Sequence, residues 1–219
     1  MGCVSFNTIA PIYPWLERML AGGLMHRCRT ACLDDLGAPE HTLFLGEGPG
    51  RMLREMALRF PEMRCTVIDE SASMIRQSRA MADAVPGLAG RCEWMQRDVF
   101  SWLEAVDRNK DAFDLVVTCF FLDCFDPAGL GRLISGISSR MPPGSRWLIA
   151  DFSIPVRGPA HWRARGIVGM LYVFFRFVAG LQTGRLEDTS PFLAASGWKR
   201  EARHELDWGL MACELWVKG

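Results

Sequence analysis

The sequence predicts an α/β protein with a mostly parallel sheet and helices on both faces. Three observations carry this. Short apolar runs at 42–46, 65–69, 92–96, 113–119 and 146–152 alternate with helical segments near 50–60, 71–84, 100–107 and 127–140, the rhythm of a parallel sheet. The runs are apolar nearly throughout, as strands buried on both sides are. The first run ends in glycines at alternate positions, Gly46, Gly48 and Gly50, which let a backbone leave a buried strand, turn tightly and lie against a ligand.

Residues 1–41 read as helical in two pieces, separated by Ala21-Gly22-Gly23. After Pro155 the rhythm changes, and residues 160–181 form a long apolar helix where a plain α/β sheet needs only a short connector. Residues 187–196 fit the next crossover helix, with Asp188 or Thr189 as N-cap. Trp198–Leu206 and Leu210–Val217, around Asp207-Trp208-Gly209, fit an antiparallel pair. The expected organisation is one domain: an N-terminal helical cap (1–41), a cofactor-binding core (42–155), a lid or insertion (156–186), and a C-terminal helix with a hairpin (187–219).

Bulk properties narrow the class. A chain of 219 residues suits one domain, and 49% hydrophobic residues suffice for a sizeable core. Lys+Arg and Asp+Glu balance at 25 each, so no general basic field favours nucleic acid as a partner. The eight cysteines show neither a CxxC pair nor metal-ligand spacing. They read as reduced thiols of a cytoplasmic protein, with no metal expected. No signal peptide is read at the start, and Met1-Gly2-Cys3 lacks the Ser or Thr of a myristoylation pattern where Phe6 stands. The apolar stretch from Gly166 to Leu181 is interrupted by Arg176 and falls short of the roughly 20 residues of a membrane span. A soluble protein is expected.

The glycines sharpen the chemistry. Nineteen residues after Gly50, the run Cys65-Thr66-Val67-Ile68 ends in Asp69, placed to accept from both hydroxyls of a ribose. A dinucleotide fingerprint reads G-x-G-x-x-G, but Arg51 stands at its third glycine and the spacing here is G-x-G-x-G. That spacing resembles motif I of the class I S-adenosylmethionine (SAM)-dependent methyltransferases, and further segments keep the family's order. Val67-Ile68-Asp69-Glu70-Ser71-Ala72-Ser73-Met74-Ile75 is similar to the second motif. Gln96-Arg97-Asp98-Val99 is similar to the segment that reads adenine, and Phe113–Cys119 to the fourth strand. Met141-Pro142-Pro143-Gly144-Ser145 with Trp147–Phe152 is similar to the proline-glycine turn and fifth strand. The resemblance spans about residues 42–152 and implies a Rossmann-like fold with a mostly parallel seven-stranded sheet, using SAM and releasing S-adenosylhomocysteine.

Site roles follow from the resemblance. Gly46, Gly48, Gly50, Asp69, Glu70 and Cys119 belong to the cofactor cleft, with Asp69 on the ribose. Met74 and Val99 sandwich the adenine, or Met74 is core. Asp98 accepts from the adenine amino group, or caps the helix near Phe100. Many members carry an acid where Phe44 stands; Glu47 is the candidate replacement near the ammonium, and a solvated turn glutamate is its alternative. Arg51 lies over the ligand carboxylate or pairs on the surface. Phe6-Asn7-x-Ile9-Ala10-x-x-Tyr13 resembles the opening of quinone-type small-molecule methyltransferases, which places Tyr13 over the cleft.

Asp123 and His161 are the candidate bases, although Asp123 can instead cap the helix near Pro127 and a lone His is often structural. Phe120, Phe121, Tyr172 and Phe175 have the character of an acceptor pocket. The resulting expectation is in-line methyl transfer to a small, rather apolar acceptor: a quinone, phenol, polyene or lipid-like molecule. The 160–181 helix then serves as lid, as homodimer interface or as a peripheral membrane contact. Two rivals remain. One is a SAM-fold protein that binds without catalysis. The other is a nicotinamide-dependent oxidoreductase, disfavoured by Arg51 and by the lack of a Tyr-x-x-x-Lys pair.

Overall fold

The computed structural model describes residues 23–105, 113–179 and 186–219, with only the backbone of 173–179. Tyr13 and the Phe175 side chain therefore lie outside the described residues. In chain order the elements are α1 (Leu24–Thr30), β1 (His41–Leu45), α2 (Arg51–Arg59), β2 (Arg64–Asp69), α3 (Ala72–Asp83), β3 (Cys92–Gln96) and α4 (Val99–Ala105). They continue with β4 (Leu115–Cys119), α5 (Pro127–Ser138), β5 (Arg146–Phe152), α6 (Pro159–Ala179), α7 (Ser190–Ala195), β6 (Trp198–Leu206) and β7 (Met211–Lys218).

The seven strands form one sheet in the order β3-β2-β1-β4-β5-β7-β6. All neighbours are parallel except β7, which runs antiparallel to both β5 and β6. The order reverses between β1 and β4, so the loops after these strands diverge and leave a crevice at their carboxyl ends.

Side-chain alternation divides the core. Phe44, Val117, Leu148 and Leu215 enter an apolar cluster shared with α1, α2, α3 and α6. Leu43, Val116, Trp147 and Trp216 enter a second cluster with α4, α5 and α7. Successive residues of one strand thus serve opposite faces, so the strand must be apolar at nearly every position. In α6 the buried residues Ala164, Val168, Leu171 and Tyr172 recur at helical spacing and turn one stripe inward.

Helix starts follow local chemistry. Ser71 caps α3 through its Oγ, which accepts from Met74 N at 3.2 Å. Asp98 caps α4, accepting from Ser101 N at 2.9 Å. Before α7, Thr189 holds the cap position without a side-chain bond, and Asp188 accepts from Ser190 N at 3.0 Å instead. The cap of α5 is Asp126, accepting from Gly129 N at 2.7 Å, with Pro127 in the first turn. This corrects the alternative that Asp123 caps that helix: Asp123 sits earlier, in the short 3-10 turn Leu122–Cys124.

A second correction concerns the cysteines. Cys65 and Cys92 are register partners on β2 and β3 and form a disulfide, so not all eight thiols are free. Their separation of 27 residues gave no sign of pairing; the parallel register sets them side by side. At the β6–β7 turn, Asp207 and Trp208 share positive φ with Gly209, a conformation that costs non-glycine residues energy. Arg163 of α6 donates to the Asp207 carboxylate at 2.8 Å and so anchors this turn.

The two clusters meet the polar interior at a few defined bonds. Trp198 Nε1 donates to Ser138 Oγ at 2.7 Å, both groups being buried. Ser138→Ala leaves the indole N–H without its acceptor and is expected to cost about 1–3 kcal/mol, read as a lowered urea midpoint with an unchanged slope.

Candidate active site

The loop from Gly46 to Gly50 leaves β1 with all three glycines at positive φ. Two of them are fixed by close approach. A Cβ at Gly46 would lie 2.2 Å from the Phe121 ring, and one at Gly50 would lie 2.9 Å from Ser78 Cα. At Gly48 a Cβ would meet nothing within 4 Å, so the middle of the loop faces open space.

Asp69 at the end of β2 holds this loop. Its Oδ2 accepts from Gly48 N at 3.2 Å and its Oδ1 from Ser71 N at 2.9 Å. Each carboxylate oxygen has a second lone pair, so acceptor capacity remains for a ligand hydroxyl. Burial raises its pKa to about 6, against the pull of the Ser71 and Gly48 N–H groups. Met74 and Val99 are both buried, and Met74 is in neither of the two apolar clusters. Asp98 is half-buried and its Oδ1 already receives the Ser101 N–H.

Glu47 is not the solvated turn residue that was its alternative reading. It is buried, and its Oε1 accepts from Leu53 N in the first turn of α2 at 2.9 Å. Burial pushes its pKa up to about 7, opposed by the Leu53 N–H and the positive charge of Arg29. Arg29 comes from α1, is itself buried, and lies 5.1 Å over the Phe120 ring. Phe44, where an acid was missing, is fully buried in the core. Glu47 and Arg29 therefore place a buried acid and a buried cation beside the glycine loop. Sequence reasoning missed Arg29; the available signal was an arginine on the apolar stripe Met25, Cys28, Arg29, Cys32.

At the ends of β4 and β5 the structure gathers a second group. Phe120 follows Cys119 with φ 52 and donates its N–H to Ala150 O at 2.8 Å. Its ring stands 5.2 Å from Phe152, and Phe121 stacks edge-on to Phe125 at 5.1 Å. Asp123 lies near Asp151, which the sequence reading did not single out. Burial raises both carboxyls, Asp123 to about 6 and Asp151 well above the usual range, where the neighbouring Asp123 adds repulsion. Asp151 accepts from Phe152 N at 2.8 Å. Tyr172 brings α6 to this place, its hydroxyl donating to Asp123 O at 3.0 Å. His161 instead turns Nδ1 to the Pro155 carbonyl at 2.7 Å, so that nitrogen carries the proton and the ring is tied to the lead-in of its own helix.

The methyltransferase domain model Methyltransf_25 matches residues 43–144, which include the glycine loop, Asp69 and Asp98. These residues match a methyltransferase domain, the class whose motifs the glycine loop and Asp69 resemble. It is 32% identical over 117 residues to aclacinomycin 10-hydroxylase RdmB of Streptomyces purpurascens, covering 53% of this chain and 29% of that protein. It is 27% identical over 154 residues to the ubiquinone/menaquinone biosynthesis C-methyltransferase UbiE of Paracoccus denitrificans, covering 68% of this chain and 57% of that protein. Among solved structures, an O-methyltransferase family protein from Burkholderia thailandensis superposes with TM-score 0.72 at 16% identity, over 96% of this chain and 59% of that one. The chain thus spans less than two thirds of each. Among the described residues, no helix is long and apolar enough to cross a membrane.

Glu47 yields a pH prediction. Its folded pKa lies above the ordinary 4.5, so the folded state holds a proton that the unfolded state has lost. Its contribution therefore falls as pH rises from about 4.5 to about 7. Glu47→Gln keeps an acceptor for Leu53 N and removes this loss. It is expected to flatten the decline by up to about 3 kcal/mol, read from urea unfolding of wild type and variant at several pH values.

Proposed function

We propose that this protein transfers the methyl group of SAM to a small, rather apolar acceptor, a phenol or a quinol-like molecule. The observation that carries the reading is the Asp69 carboxylate. It is half-buried at the end of β2, bonds both the glycine loop and the start of α3, and keeps acceptor capacity toward the open middle of that loop. SAM brings a methyl already activated by positive sulfur, so the chain's task is to bind, orient and exclude water. Asp69 receives the ribose hydroxyls, while Met74 and Val99 flank the adenine. Asp98 keeps its cap and can take the adenine amino group on its remaining lone pairs. Glu47 faces the ammonium of the methionine end and Arg29 its carboxylate.

On the acceptor side, Phe120, Phe121 and Tyr172 form the apolar wall. The carboxyl pair Asp123 and Asp151 supplies the base. Two half-buried, desolvated acids in repulsion hold a proton between them at neutral pH; the ionised member can take a phenolic proton as the methyl arrives. His161 has no part in this step. The C-methyltransferase relative is named for quinone biosynthesis, which supports the acceptor class. A second reading stays in view because another relative is named a hydroxylase: a SAM-fold protein that keeps the cofactor without passing on its methyl.

The experiment is methyl transfer from radiolabelled SAM to a panel of phenols and quinols, with cofactor binding measured in parallel. Transfer to an apolar phenol is the expected result; SAM binding without transfer to any panel member favours the second reading. Asp69→Ala should weaken SAM binding about tenfold or more, since bonds to a charged group are worth about 1.5–3 kcal/mol. Because Asp69 must be ionised to accept two hydroxyls, affinity should also fall as pH drops through about 6. Unchanged affinity in folded Asp69→Ala removes the ribose assignment.

A further inference from the structure

Away from the crevice, the N-terminal segment meets the β6–β7 hairpin at a cluster of sulfur, nitrogen and oxygen. After α1 the chain runs through successive turns, and Asp35 N donates to Cys32 O at 3.1 Å. That turn sets Cys32 and Asp35 on one side. Opposite them His204 and Cys213 are direct register partners on β6 and β7. His204 Nε2 lies 2.6 Å from Asp35 Oδ2. The Cys32 thiol, an Asp35 carboxylate oxygen and a His204 ring nitrogen all lie within 4.8 Å of one another. Cys213 lies beside Cys32, and both residues are fully buried.

We propose that Cys32, Asp35, His204 and Cys213 form a zinc site. The donor set, two thiols, an imidazole and a carboxylate, is one that zinc takes tetrahedrally. Zinc–ligand bonds of about 2.0–2.3 Å place neighbouring ligand atoms roughly 3.3–3.8 Å apart. The ligand atoms of Cys32, Asp35 and His204 lie within 4.8 Å of one another, with His204 and Asp35 at 2.6 Å, so the ion must part that contact and draw the sulfurs in. The half-exposed imidazole and carboxylate, 46% and 37% exposed, give the ion a way in, while the sulfurs close the inner side. Asp35 is not engaged with the neighbouring arginine, because Arg59 pairs with Asp34. On binding, the two S–H bonds release their protons to solvent, the proton between His204 Nε2 and Asp35 leaves Nε2 for Nδ1 or solvent, and two S–Zn bonds, one N–Zn and one O–Zn bond form. The ion would pin the segment that carries Arg29 to the C-terminal hairpin. Sequence spacing could not reveal this, since His204 and Asp35 are 169 residues apart.

The test uses the full chain, reduced and stripped with chelator, then titrated with Co²⁺ and competed with Zn²⁺. The expected result is one equivalent bound, with the intense d–d bands of tetrahedral cobalt, a thiolate-to-cobalt charge-transfer band, and displacement of both by zinc. His204→Ala and Asp35→Ala, both at the surface, keep the fold and should each weaken binding about tenfold or more. Cys32→Ser should lower the charge-transfer intensity, and His204→Cys, which restores a ligand, should bind more tightly than His204→Ala. Zinc should raise the thermal midpoint of the wild type and not that of His204→Ala. Absence of the charge-transfer band in reduced, folded wild type overturns the proposal. So does a cobalt spectrum that His204→Ala and Asp35→Ala leave unchanged.

Discussion

The two hydrogen bonds that the Asp69 carboxylate accepts hold the functional end of this fold together. One fixes Gly48 in the loop that leaves β1, and the other fixes Ser71 at the entrance to α3. Through them a single side chain sets the distance between two adjacent strand-to-helix turns. The loop can take its path only because Gly46 lies under the Phe121 ring and Gly50 against the backbone of α3. A side chain at either place would push the loop away from the carboxylate. The crevice between β1 and β4 is therefore built by close backbone approach, with one half-buried carboxylate as its tie.

Charge burial gives the site its character. Glu47, Asp69, Asp123 and Asp151 all sit where the ionised form is disfavoured. A folded chain carrying four such acids has given up stability that a ligand with hydroxyls, an ammonium or an ionisable acceptor can return. Arg29 is the counter-charge that the chain itself supplies, delivered by the N-terminal segment rather than by the core. That segment thus brings a positive charge to the glycine loop as well as packing against the core. Its attachment to the hairpin through Cys32 and Asp35 bears on the geometry of the cleft.

Much of this was legible in the sequence, and for definite reasons. A strand buried on both faces announces itself as an unbroken apolar run, so β5 falls where the pattern put it; the edge strands β3 and β6, though largely exposed, also match, and the others lie within one or two residues. The glycine spacing and Asp69 were legible because backbone geometry forces residue identity there. What escaped notice depends on distant parts of the chain. Cys65 and Cys92 meet only through parallel register. Asp151 looks like an ordinary strand-end acid until the turn carrying Asp123 folds beside it. Glu47 was legible as a charge near the glycines, but its burial and its bond to Leu53 depend on how α2 closes over the loop. Asp123 was offered as a cap where Asp126, three residues on, holds the position, a shift within the ordinary uncertainty of a helix boundary.

The fold and the domain match establish the framework, and the hydroxylase name of one relative shows why the framework does not settle the chemistry. In the proposed function the glycine loop and Asp69 receive the nucleoside, with Glu47 and Arg29 at the amino-acid end. A crystal structure with S-adenosylhomocysteine tests it most directly. The account predicts both ribose hydroxyls on the Asp69 carboxylate, the adenine between Met74 and Val99, and the amino-acid end beside Glu47 and Arg29. A nucleoside bound elsewhere, or a ribose that leaves Asp69 untouched, would contradict it.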